Sequence, residues 1–131
     1  MAQTEHPPIY KTAYDFCLYI ERVVENFPRS HKYSIGIDLK DSAREMLKLV
    51  VRANARRDNE EILGKLREEI KEMNVLLMLC HDLLAFPDFN SFEHAISLVT
   101  EIAKQNDDWL KTQRRLRQSR SGKMTSRSKF S

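Results

Sequence analysis

Seven apolar residues, Leu63, Leu66, Ile70, Met73, Leu77, Cys80 and Leu84, recur at alternating steps of three and four. That spacing returns a side chain to the same stripe of a helix at every turn, and such a stripe must be buried against other helices. A second apolar line, Ile62, Leu76 and Leu83, lies beside the first and widens the face. A helix apolar over so wide an arc belongs at the centre of a bundle. Asp58 with Glu61 three residues on reads as a capping box, and Asp58, Glu60 and Glu61 suit the positive end of a helix dipole. The helix is expected over about 58–84.

The rest of the chain offers partners of the same kind. Only 3 Gly and 4 Pro interrupt 131 residues, which favours long helices over many short strands. A first helix is expected over about 10–26, between the Pro7–Pro8 pair and Pro28, with Ala13, Tyr14, Cys17, Ile20, Val24 and Phe27 on one side. A second is expected over about 34–55, burying Leu39, Ala43, Met46, Leu47, Val50 and Asn54, with Gly36 leaving its start open. A last helix, capped by Asn90 with Glu93 three residues on, is expected over about 90–116. Its inner face is Phe92, Ile96, Val99, Ala103, Asn106 and Leu110. The fold class is all-α: an antiparallel up-down four-helix bundle over 1–116, followed by a disordered basic tail over 117–131.

No apolar run approaches the roughly 20 residues that span a bilayer. The start, "MAQTEHPPIY", lacks the basic and apolar regions of a signal peptide. Cys17 and Cys80 fall within apolar helical patterns, as reduced core thiols do. These features point to a cytoplasmic protein.

The net charge of +3 conceals a division. Residues 1–110 carry 14 Lys+Arg against 19 Asp+Glu, a net −5, whereas residues 111–131 carry 8 Lys+Arg and no acid, a net +8. A case for nucleic-acid binding is therefore local. One local feature is a row at every fourth position: Lys40, Arg44, Lys48, Arg52, Arg56. Steps of four drift only about 40° on a helix, so the row is a winding ridge on the side away from the core. Asp41 and Glu45 can pair with Arg44 and Lys48, which makes the first half a solvated face. No acid precedes Arg52 by three or four residues, while Asp58, Glu60 and Glu61 can reach parts of the cluster Arg56–Arg57. Lys48, Arg52, Arg56 and Arg57 thus stand as either a wet helix end or a phosphate-binding surface. Arg114, Arg115, Arg117 and Arg120 in the last segment, with Lys123, Arg127 and Lys129 beyond, would attract RNA or DNA without reading sequence.

Leu49, Val51, Val75 and Leu79, with Val23, lie off the main apolar seams. Such a surplus points to self-association or a partner surface. Catalysis finds less support. His81 and Asp82 are neighbours in sequence and diverge by about 100° on a helix. No Gly-rich phosphate loop, nucleophile elbow or spaced metal-ligand set occurs, so neither enzyme activity nor a cofactor or metal is expected.

The order "FPRSHKYSIG", a long helix, "LCHDLLAF" and a capped helix ending in "DDWL" resembles the four-helix-bundle family of ribosomal-RNA intervening-sequence proteins. Its nearest branch is the accessory variability proteins (Avd) of diversity-generating retroelements. The resemblance spans about residues 9–112. It implies a homopentameric barrel that binds the retroelement's reverse transcriptase and template RNA and supports mutagenic cDNA synthesis without itself being catalytic. Asn74 and Met78 stand where that family often carries basic residues. The alternative is a self-assembling structural bundle of the intervening-sequence type with no committed nucleic-acid role.

Overall fold

The Pro7–Pro8 pair sets the first helix. Proline at the first helical position has the right φ and gives up an N–H that would have no partner there. In the computed structural model, which describes residues 7–130 and the side chains from 7 to 121, α1 runs Pro8–Glu25. A single turn, α2 at Arg29–Lys32, carries the chain across to α3 at Ile35–Asn54. Gly36 lies in the first turn of α3, where a Cβ would stand 2.7 Å from Val24 Cγ1 and 3.0 Å from the His31 carbonyl. The missing side chain is what lets α3 start against the end of α1.

The central helix, α4, spans Glu60–Asp82. It ends in a Schellman arrangement: the Ala85 N–H donates to the Cys80 carbonyl at 2.9 Å and the Leu84 N–H to His81 at 3.0 Å. Leu84 takes the left-handed conformation, φ 59°, that closes this motif. The last long helix, α5, spans Phe89–Phe130. Asp88 Oδ1 caps it, accepting from the Ser91 N–H at 2.7 Å and the Ser91 hydroxyl at 2.8 Å.

The four long helices pack antiparallel in a ring. α1 and α4 each contact α3 and α5 and lie diagonally across the core from one another. Leu63, Leu66, Ile70, Met73, Leu77 and Cys80 are all buried, facing Phe16, Ile20, Leu39, Met46, Val99 and Ile102. Each large aliphatic buried in this way contributes about 1.5–3 kcal/mol relative to exposure. Burial pushes the Cys80 thiol up to about 12. Cys17 is raised too, by burial and then by Glu21, so neither is a ready thiolate at neutral pH.

Several expectations are corrected. Leu49 is 3% exposed and Val23 is buried, so neither belongs to a partner surface; both sit where a helix meets two neighbours at once. Tyr14 and Asn54 are exposed, and Ala53 takes the inward place expected for Asn54. Leu84 leaves the seam because α4 has already ended. Neither Asp58 nor Asn90 is a cap: Asn59 flanks α4 without a side-chain cap bond, and the capping carboxylate of α5 is Asp88. α5 runs past its expected end at about residue 116, to Phe130. Lys, Arg, Gln and Leu favour a helix, and no proline follows Pro87 to stop one. The side chains of Lys123, Arg127 and Lys129 lie outside the described residues. Among the described residues, no helix is long and apolar enough to cross a membrane.

Candidate nucleic-acid interface

Antiparallel order sends the C-terminal ends of α3 and α5 to the same end of the bundle, beside the start of α4. α5 is long enough to overshoot that end. The basic end of α3 and the basic run of α5, far apart in sequence, therefore meet.

Two adjoining clefts mark the meeting. One, of about 450 Å³, is lined by Ala53, Asn54, Arg56, Arg57 and Asn59 from the α3–α4 junction and by Trp109, Gln113, Leu116 and Arg120 from α5. The other, of about 430 Å³, is lined by Arg57, Asp58, Arg117, Arg120 and Ser121. Arg57 and Arg120 border both.

Glu60, in the first turn of α4, ties α5 down. Its carboxylate pairs with Arg117 Nε at 2.9 Å and lies 4.0 Å from Arg114 Nε. Arg52, Arg56, Arg57, Arg115 and Arg120 are exposed and form no ion pair among the described residues. Arg52, Arg56 and Arg57, at the C-terminal end of α3, suit that helix's dipole, an effect of about 0.3–1 kcal/mol per cation. That accounts for cations on α3 but not for a second set brought to the same clefts by α5.

The other half of the α3 ridge behaves differently. Lys40 lies 3.4 Å from Glu25 and 3.7 Å from Glu21, both on α1. Arg44 pairs with Glu21 and stands 3.7 Å from Asp41. Hydrogen bonds from Lys32 and then Lys40 hold the Glu25 carboxyl below its ordinary range. These cations are committed to joining α1 and α3. On the α3–α4 flank an open groove of about 620 Å³ gathers Asp38, Asp41, Glu45, Glu69 and Glu72, a surface that repels phosphate.

Of the residues singled out from sequence, Arg56, Arg57, Arg117 and Arg120 come together directly, and Arg114 joins them through Glu60. Lys48 and Arg52 lie further back along α3, exposed but outside both clefts, and Arg115 lines neither. Val51, Val75 and Leu79 are 49%, 67% and 46% exposed and stand free for a partner surface, with Met78 beside Val75 and Leu79 on α4. Sequence reasoning passes over Asn59, Trp109 and Gln113. Trp109 reads in sequence as one more apolar residue near an inner face, and only the pairing of helix ends gives it cationic neighbours.

A family model described as bAvd-like matches residues 9–113. The matched span takes in Arg52, Arg56, Arg57, Asn59 and Trp109 and stops just short of the basic run beginning at Arg114. No curated protein matches the chain.

Proposed function

The chain belongs to the bAvd-like family, whose members are noncatalytic accessory proteins of diversity-generating retroelements, and from that premise we propose that it binds template RNA at the end of the bundle where α3 and α5 converge. The observation that carries the reading is the convergence itself: Arg56 and Arg57 line the same clefts as Arg117 and Arg120. Forked guanidinium donors are matched to phosphate oxygens, and a cluster of them gains affinity by releasing the counterions of the nucleic acid.

In this reading the protein works as a homopentamer, as the sequence resemblance implies, and delivers RNA to the retroelement's reverse transcriptase. A ring of five repeats the basic clefts around one rim, so a modest site gains by multivalency. The exposed apolar residues Val51, Val75, Met78 and Leu79 supply surface for contacts between copies or with the enzyme. Steered association through the basic rim keeps the nucleic acid away from the acidic α3–α4 flank.

The test is reconstitution with the reverse transcriptase and template RNA of the same retroelement. Addition of the intact protein is expected to raise cDNA yield, and a ternary complex is expected to migrate as one species whose mass is that of a pentamer of the 15.4 kDa chain plus the reverse transcriptase and the RNA. An assembled ring that neither binds RNA nor raises cDNA yield would support the structural-bundle reading, which the acidic flank and the ion-paired Lys40–Arg44 half of α3 favour.

A further inference from the structure

The cleft of about 450 Å³ is not lined by cations alone. Trp109, Asn54, Asn59 and Gln113 share it with Arg56, Arg57 and Arg120. The amides can donate to phosphate as well as to a base, but a surface that bound only phosphate would not need an indole.

Asn59 is the most telling of these side chains. It is 2% exposed. Its Nδ2 donates to the Ala53 carbonyl at 2.8 Å, which fixes the side chain across the end of α3. Its Oδ1 is buried and has no hydrogen-bond partner among the described residues. A buried carbonyl oxygen without a donor is costly, by the desolvation of a strong acceptor, and this one belongs to a residue that lines the cleft. Trp109 is partly buried against the core, so its ring is held in place. It borders both the cationic cleft and a smaller apolar slot formed with Pro7, Pro8 and Ile9. Asp108 in that slot disfavours phosphate there, which leaves the cationic cleft as the side from which a nucleotide enters.

We infer that this cleft takes one unpaired nucleobase, stacked on Trp109 with an N–H of its edge donated to Asn59 Oδ1, while Arg56, Arg57 and Arg120 hold the flanking phosphates. The inference rests on the proposed RNA-binding end and adds what that end recognises: a base in a single strand or loop. A paired base has both faces stacked and its edge occupied, so a duplex can use only the arginines. The cleft's volume of about 450 Å³ falls within the range of small-molecule sites, about 300–1,000 Å³.

Trp109 is the chain's single tryptophan, so the intact protein carries its own probe. Its fluorescence is followed while octa-adenylate RNA, an abasic octamer of the same charge, an RNA duplex or heparin is added, with binding measured in parallel by ultracentrifugation. Octa-adenylate is expected to quench Trp109 saturably, with a midpoint equal to that of binding. The abasic octamer, duplex and heparin are expected to bind with much less quenching. Trp109→Leu should weaken octa-adenylate binding about tenfold and leave heparin binding within about twofold.

Bound octa-adenylate with unchanged fluorescence would overturn the base site and leave the phosphate-binding end standing. Quenching by the abasic octamer equal to that by octa-adenylate would do the same. Failure of every polyanion to bind would overturn both readings. If Trp109→Leu does not fold, the fluorescence of the unaltered protein still decides the question.

Discussion

Arg117 on α5 forms an ion pair with Glu60 in the first turn of α4 at 2.9 Å, across the same end of the bundle that gathers Arg56, Arg57 and Arg120. The pair fastens the overshooting helix to the body. It also places one carboxylate among the cations that would meet phosphate. Glu60→Gln should therefore tighten RNA binding, by about threefold at low salt, with the gain vanishing as salt rises. Because Arg117 is largely exposed, the loss in stability should stay below about 1 kcal/mol. Fluorescence anisotropy with labelled RNA and urea unfolding check the two halves.

Two glycines should respond in opposite directions to the same substitution. A Cβ at Gly36 would collide with Val24 Cγ1, whereas one at Gly64 meets nothing within 4 Å. Gly36→Ala should lose about 1–3 kcal/mol by overpacking between α1 and α3. Gly64→Ala should gain about 0.5–1 kcal/mol, since glycine inside a helix costs that much relative to alanine. Denaturant midpoints at equal slope measure both.

Leu84 pairs a left-handed backbone with a side chain that is 79% exposed. The conformation costs a residue with a Cβ roughly 1–2 kcal/mol, and little burial is forfeited on removing this one. Leu84→Gly should stabilise the fold by about 1 kcal/mol, less the extra freedom that glycine gives the unfolded chain. Thermal unfolding is the measurement, with a higher midpoint expected.

The cap of α5 gives the protein an acid sensitivity. Hydrogen bonds from the Ser91 backbone N–H and then its hydroxyl hold the Asp88 carboxyl below its ordinary range. A carboxylate lowered in the folded state stabilises fully above its unfolded pKa, and that contribution is lost as pH falls through the depressed value. Asp88→Asn should melt lower than the native chain at pH 7. The difference should shrink as the pH is taken below the ordinary aspartate range, because the native cap is then protonated.

The seam from Leu63 to Cys80 is legible in the sequence because a heptad stripe needs only helix geometry, and every member is buried. Its last expected member, Leu84, depends on where α4 stops, which the Cys80–Ala85 hydrogen bond decides rather than periodicity. Leu49 resembles a flank residue on a single helix wheel, yet α3 packs against both α1 and α4 and buries a wider arc than one seam. Helical spacing pairs Arg44 with Asp41, and the two do meet. The further pairing of Arg44 with Glu21 needs the adjacency of α1, which local sequence does not carry. The basic clefts are legible as two separate cationic stretches. Their union, and the place of Asn59 and Trp109 within it, follow from helix direction, the length of the α3–α4 connection and the continuation of α5.

If Arg56, Arg57 and Arg120 act together on nucleic-acid phosphate, the salt dependence of RNA affinity must show it. The measurement compares the native chain, the Arg56→Gln, Arg57→Gln, Arg120→Gln triple variant, and a Lys40→Gln, Arg44→Gln control, with the oligomer verified in each. Removing one phosphate-binding cation lowers the slope of log K against log salt by about 0.7–1 unit. The triple variant should therefore have a slope smaller by about two to three units and bind several-fold more weakly at fixed low salt. The control, whose cations are engaged by Glu21 and Glu25, should keep the native slope. Equal slopes for the native chain and the triple variant would contradict a shared phosphate-binding role and return these arginines to a solvated helix end.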